Sequence, residues 1–371
     1  MAALRRGDGR RLRGGAALKP VLFVTNHAPP FRVGAFRALH EREEVVFALI
    51  GGDVRHGGGA GGGELPFPVL RPSQRGVARL AASGRFRAVI AGISGRVALP
   101  AAYAGARRAG VPFVLWATIW AHPRTPAHAL SYLPMLAIYR GADAIASYGP
   151  HVSAYVRAKG ARGPVLEAPQ SVDDAFWATP AAPERQAPYQ VLFAGRLAWE
   201  KGVCVLLRAW PLAGLDAPST ALVLVGDGPI RARAVAAGAA HLEGPLEPER
   251  LRNFYAGSDV VVVPSIPTRD FLEPWGLVVN EAFDQGVPVI ATDAVGAAAG
   301  GLVQHERTGL VVPAGDERAL ATALRRLHDD PELRERLGAN AREAVRAHSH
   351  AAWAEGMSAA LRAVGASNVL C

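Results

Sequence analysis

Short runs rich in Val, Ile, Leu and Phe alternate with stretches of helical periodicity from residue 21 onward, and the alternation starts afresh near residue 190. Strand and helix taking turns at this spacing imply a parallel sheet covered on both faces, because parallel neighbours can be joined only by a crossover. In the first series the pattern predicts strands over 21–25, 45–50, 88–91, 113–116, 144–147 and 165–167. Helices are predicted over 34–41, 77–82, 97–109, 128–140 and 151–159. The second series predicts strands over 191–194, 222–225, near His241, and over 260–263, 288–291 and 310–312. Its helices fall over 203–210, 230–237 and 248–256, then from Leu277 and from Asp316, a residue suited to an N-cap. After Pro331 the chain reads as helical to about Arg362.

A chain of 371 residues with 50% hydrophobic composition is too long for one typical core and long enough for two. Between Asp173 and Pro188 periodicity stops among Ala, Pro and charged residues, which marks a linker. The two halves echo each other, with Gly141-Ala142-Asp143-Ala144 answered by Gly257-Ser258-Asp259-Val260. The fold class that follows is α/β, with two doubly wound Rossmann-like domains over 18–180 and 186–345. Ligands of such sheets sit at the C-terminal strand ends, so a bound molecule is expected in the cleft between the domains.

The formal charge of +9 comes without a basic run interleaved with aromatics and without zinc-type spacing, so nucleic acid is not expected as a partner. Cys204 and Cys371 form neither a disulfide framework nor a metal site, which suits a reducing, cytoplasmic setting. The basic start, Arg5 to Arg13, lacks the apolar segment of a signal peptide. Residues 1–17 read as a mobile tail, with a peripheral hold on anionic lipid at the inner membrane face as the other option. Gly57 to Gly63 reads as a flexible loop.

Candidate chemistry gathers in the loops that follow strands. Glu273-Pro274-Trp275-Gly276-Leu277-Val278 leads to Glu281 and sets a carboxylate at each end of a turn feeding a helix. Gly276 permits close backbone approach, and the amides of Leu277 and Val278 lie at a helix start that suits phosphate. Two readings fit: carboxylates gripping opposite ends of an elongated ligand, or acids that dress a helix end. Gly195-Arg196 to Glu200-Lys201-Gly202 places two cations at the same sheet edge, for a diphosphate or for pairing with local acids such as Glu200. Gly226-Asp227-Gly228-Pro229 is a turn with or without a ligand.

In the first domain the loop Trp116 to Arg124 offers His122, while His27 competes for the same role. Trp116 and Trp120 suit a sugar ring or the core, and Arg32 an anionic acceptor or solvent. Asn280 suits a bond within its own helix. No Asp-x-Asp motif and no metal-ligand spacing occurs, so no metal is expected.

These motifs in combination, with Gly286-Val287-Pro288-Val289-Ile290-Ala291 after them, resemble the retaining glycosyltransferases of family 4, which have the GT-B fold. The resemblance covers about 191–347. It implies that Arg196 and Lys201 hold the donor diphosphate, with Gly228 and Pro229 beside it. Glu281 would hold the ribose hydroxyls and Glu273 the donor sugar. Trp275, Gly276 and the amides of Leu277 and Val278 would complete the phosphate side, a loop near Leu246 would meet the base, and residues 346–371 would cross back to the first domain. His122 fits the first-domain histidine by position only, and Asn26-His27-Ala28-Pro29 stands where many members have a Gly-Gly pair.

The expected function is transfer of a hexosyl-type sugar from a nucleoside-diphosphate sugar to a glycan, lipid-linked or small-molecule acceptor, with retention and without metal or other cofactor. Arg196 and Lys201 would then stabilise the leaving diphosphate. The rivals are a sugar-nucleotide 2-epimerase or hydrolase on the same scaffold, and a catalytically silent sugar-nucleotide binding protein.

Overall fold

The computed structural model describes residues 18–51, 64–93, 97–215, 218–237 and 241–368. The basic start, the glycine run 57–63 and Cys371 lie outside these residues. Seven strands form the first sheet: β1 (Val21–Thr25), β2 (Val45–Leu49), β3 (Val69–Leu70), β4 (Ala88–Gly92), β5 (Phe113–Ala117), β6 (Ala144–Ser147) and β7 (Val165–Glu167). The second is built from β8 (Tyr189–Ala194), β9 (Thr220–Val225), β10 (His241–Glu243), β11 (Val260–Val263), β12 (Val289–Thr292) and β13 (Gly309–Val312). Their spatial orders are β3-β2-β1-β4-β5-β6-β7 and β10-β9-β8-β11-β12-β13, with every pairing parallel.

The strands read as unbroken apolar runs because helices cover both faces of each sheet. β1 is VLFVT and β11 is VVVV, and every residue of both is buried. One hydrophobic cluster runs through the first sheet and across one face of the second, joining Phe23 and Trp116 to Trp275 and Phe283. A second cluster fills the other face of the second sheet around Leu206 and Leu324.

Helical sequence after Pro331 divides in two. Helix Pro331–Val345 packs in the second domain, a short 3-10 turn follows, and the backbone extends at Ser349 before helix His350–Ala363 begins. Ser349 caps the new helix by accepting from the Ala352 N–H at 3.2 Å, which lets the chain change direction there. The last helix lies on helix Pro30–Glu43 of the first domain. Its Trp353 is fully buried, 5.7 Å from Phe36 and 5.6 Å from Trp116 between ring centroids. Burial of an indole on this scale dominates the local energetics, so the C-terminal helix belongs to the core of the first domain.

Candidate functional site at the switch point of the second sheet

β8 and β11 are neighbours whose connections leave in opposite directions, the arrangement that opens a crevice at the C-terminal end of a doubly wound sheet. The loop after β8 ends in a 3-10 turn, Trp199–Lys201, and is stopped by Gly202 at φ +70°. A Cβ on Gly202 would lie 1.8 Å from the carbonyl oxygen of Pro264, so glycine is what lets this loop close on the loop after β11. The Ile266 N–H donates to the Glu200 carbonyl at 3.0 Å across that contact.

Lys201 and Glu273 meet where the two loops touch. Lys201 Nζ is 2.5 Å from Glu273 Oε2, and Ser265 Oγ donates to the same oxygen at 3.0 Å. Glu273 is only 6% exposed, and the ammonium also sits 5.0 Å from the centroid of the Phe271 ring. A carboxylate so buried needs a partner, and here a cation and a hydroxyl supply it.

The remaining second-domain candidates line the same sheet edge. Arg196 is exposed and forms an ion pair with Glu200, away from Glu273. The turn after β9 interlocks with the Arg196 loop: the Leu197 N–H donates to Asp227 at 2.9 Å and the Ile230 N–H to Leu197 at 2.9 Å. A Cβ on Gly228, at φ +154°, would lie 2.4 Å from the Leu197 carbonyl oxygen, so this close approach also requires glycine. Pro229 is exposed, and Leu246, after β10, is half-buried. Gly276, Leu277 and Val278 are half-buried at the start of helix Val278–Asp284, whose first N–H groups have no acceptor within the helix.

Glu281 stands in the first turn of this helix, its fourth residue, where a start at Leu277 would make it the fifth and put it in the second turn. Tyr255 Oη donates to its Oε2 at 2.7 Å. Burial pushes the carboxyl up to about 7, against the hydrogen bond from Tyr255, which lowers it.

Trp275 departs from its expected place beside a ligand. It is 2% exposed, with its ring between His151 and His348 and its Nε1 donating to Asn280 Oδ1 at 2.7 Å. Asn280 in turn donates from Nδ2 to the Gln170 carbonyl at 3.2 Å, so it bonds across to the segment after β7 as well as to Trp275 near it in sequence. Both residues tie the domains together, because an indole N–H buried between two domains must find an acceptor there.

The first domain reaches the site through the loop after β5. Trp120 Nε1 donates to the Glu273 carbonyl at 3.0 Å, and the Arg124 N–H to the Arg269 carbonyl at 2.6 Å. Trp120 is thereby an interdomain contact. His122, on the same loop, turns its Nε2 to the His128 carbonyl at 2.8 Å and leaves Nδ1 buried without a partner. Among the described residues no bond joins His122 to Lys201 or Glu273. His27 is half-buried just after β1. Trp116 is core, packed edge-on against Phe23 and Tyr148. Arg32 faces neither solvent nor an acid: it is buried on Gln170 and Tyr148, and burial lowers its pKa.

A family model described as glycosyl transferases group 1 matches residues 188–330, the domain that holds the Lys201–Glu273 pair. This second domain belongs to the group 1 glycosyltransferase family. A lipopolysaccharide core biosynthesis glycosyltransferase, LpsD of Rhizobium meliloti, is 31% identical over 60% of this chain and 66% of its own length. Glycogen synthase of Mycobacterium tuberculosis is 30% identical over 46% of this chain and 42% of its own length. The chain therefore spans between two fifths and two thirds of these curated relatives. In overall fold it is similar to sucrose-phosphate synthase of Thermosynechococcus elongatus, at 21% identity and TM-score 0.71 over 94% of this chain and 99% of that one. It is likewise similar to Anabaena HepE, solved in complex with UDP and glucose, at 18% identity and TM-score 0.69 over 93% and 99% of the two chains. The two-domain GT-B architecture is thus that of the whole chain.

Three residues that sequence reasoning passed over complete the geometry. Ser265 is the hydroxyl on Glu273, and Tyr255 is the one on Glu281. His151, in the first turn of the helix after β6, holds the Pro274 carbonyl at 3.3 Å, and burial lowers its pKa. Its place after a strand end is the signal that could have found it. Ser265, two residues after β11, carries the same mark, whereas Tyr255 lies inside helix Pro248–Ala256 and is defined only by the acid it meets. Among the described residues no group of three His, Cys, Asp or Glu side chains could hold a metal ion, and no helix is long and apolar enough to cross a membrane.

Proposed function

We propose that this chain transfers a hexosyl-type unit from a nucleoside-diphosphate sugar to an acceptor hydroxyl, with retention at the anomeric carbon and without a metal ion. The observation that carries the reading is the ion pair of Lys201 with the buried Glu273, at the switch point of a domain matched by the group 1 glycosyltransferase model. A cation and a carboxylate 2.5 Å apart can serve the two ends of one bond: the ammonium the departing phosphate, the carboxylate the hydroxyls of the departing sugar.

In this reading Arg196 exchanges Glu200 for the diphosphate, a modest loss because the Arg196 side of the existing pair is exposed to water. Gly228, Pro229, Gly276 and the N–H groups of Leu277 and Val278 line the phosphate path. Glu281 accepts from the ribose, and Leu246 flanks the base. The bond from the anomeric carbon to the diphosphate oxygen breaks as the acceptor oxygen attacks from the same face, its hydroxyl proton passing to the departing diphosphate oxygen while Lys201 and Arg196 stabilise the charge that leaves. His122 stands on the loop that meets Glu273 and is assigned to the sugar. The acceptor is a glycan, a lipid-linked sugar or a small molecule. That HepE was solved with UDP and glucose supports a nucleoside diphosphate as the leaving group.

A thermal-shift panel of nucleoside-diphosphate sugars tests the donor, since a ligand of the folded state alone raises its melting temperature. The expected result is a rise with one class of base, followed by transfer to an acceptor that persists in a chelator. Absence of any shift across the panel would sink the donor assignment. Chelator inhibition reversed by Mg²⁺ would sink metal independence, and donor turnover without acceptor would point to an epimerase.

A further inference from the structure

Helix Pro126–Gly141 turns an apolar face outward. Leu130 is 84% exposed and Leu133 71% exposed, and Pro134 and Ala137 are exposed with them. Spaced i, i+3, i+4 and i+7, these four share one side of the helix. The opposite side is satisfied, with Met135, Ile138 and Tyr139 buried in the first domain. Two leucines this exposed on one helix mark an interaction surface rather than a scattered residue.

The charge around the helix says what covers it. From Leu65 to Leu166 the chain has twelve Arg and one Lys against a single acid, Asp143, which is paired with Arg107 at 2.9 Å. Residues 181–371 have the opposite balance, 22 acids against 18 Arg and Lys. Exposed Arg124 stands just before the helix and exposed Arg140 in its last turn, beside Gly160. Lys159 Nζ donates to Tyr132 Oη of the helix at 3.0 Å, and exposed Arg157 is two residues away. An apolar strip bordered by cations fits the interface of an anionic bilayer and fits poorly an acidic protein surface, which would leave the leucines in contact with charge.

A cavity of about 810 Å³ adjoins the strip, lined by Trp120, His122, Arg124, Tyr132, Tyr155 and Lys159. Tyr132 belongs to the helix itself. Pro126 and Ala129 of the same helix line it too, each one turn before a leucine of the strip, so the cavity and the apolar face adjoin. Nδ1 of His122 and Oη of Tyr155 are buried without partners in its wall.

We propose that helix Pro126–Gly141 docks on an anionic lipid surface through Leu130 and Leu133, so that an acceptor carried in that surface enters the neighbouring cavity. The docking stands on exposure and charge, and only the acceptor's entry rests on the transferase reading. The test is co-flotation of the full chain with vesicles of phosphatidylcholine alone and of phosphatidylcholine with phosphatidylglycerol. Binding to the anionic vesicles and little to the neutral ones is expected. Leu130→Gln with Leu133→Gln should lower the partition coefficient by about 100-fold, from the loss of two buried leucine side chains. That variant keeps Arg5 to Arg13, so any binding by the basic start is common to both proteins.

A variant that floats like the parent overturns the proposal, and so does a parent that binds neither vesicle or both equally. A nucleotide-sugar thermal shift on the same two proteins reads the donor site separately. Its absence in both would remove the transferase reading and leave the docking result standing.

Discussion

Replacing Lys201 by methionine keeps the length of the side chain and removes the charge. Glu273 is then left 6% exposed with only the Ser265 hydroxyl on the same oxygen. Breaking a fully buried ion pair from one side costs about 3–5 kcal/mol. Lys201 is 26% exposed, so water screens the pair in part, and the expected loss is about 2 kcal/mol. For a chain with domains of this size that lowers the melting temperature by roughly 4–8 °C, read by calorimetry without ligand. Glu273→Gln in the same background removes the stranded charge and should recover most of the loss, so the double variant melts above Lys201→Met alone. Transfer behaves differently: Lys201→Met should lower kcat by about 100-fold, the scale of one lost charge-stabilising donor, and Glu273→Gln should not restore it. A Lys201→Met protein as stable as the parent would refute the claim that this cation holds Glu273. Unchanged kcat would refute its part in transfer.

Glu281 gives a pH prediction. Its folded-state pKa of about 7 stands above the ordinary 4.5, so the folded protein keeps a proton that the unfolded chain releases between those values. Its contribution to stability is therefore complete below pH 4.5 and falls as pH rises to about 7, by up to about 3 kcal/mol. Glu281→Gln should flatten this part of the stability profile measured by denaturant unfolding, though Asp284, also raised to about 7 by burial, keeps some slope. A slope identical to the parent's would contradict the assignment. At Gly202, alanine must take φ +70° and meet the Pro264 carbonyl oxygen, so Gly202→Ala should destabilise by about 2–4 kcal/mol. Because Lys201 is the preceding residue, transfer should fall even below the unfolding temperature, and a variant with parental rate would show that the two loops need not touch.

Strand and helix order were legible in the sequence because a parallel sheet covered on both faces demands unbroken apolar runs, as in VLFVT and VVVV. Val69–Leu70 escaped notice because two residues show no period; the pairing with β2 makes them a strand. Helices Asp174–Trp177 and Gly296–Ala299 escaped it as well, since one turn is too short to display an apolar face. The site was legible to the extent that local chemistry marks it: loops after strands, glycines beside cations, and acids around Gly276. Which of those side chains meet is a matter of distance between residues far apart in the chain. Lys201 and Glu273 are 72 positions apart, and Trp120 and Glu273 are 153 apart. The sequence by itself determined the two sheets and the edge on which a ligand must lie, because backbone hydrogen bonding and burial act on local pattern. Tertiary structure alone decided that Glu273 is held by Lys201 and Ser265, that Glu281 is held by Tyr255, and that Trp275 is a strut between domains. The first two depend on how loops and helices of the second sheet close on one another, and the third on how the two domains meet; no local period encodes either approach.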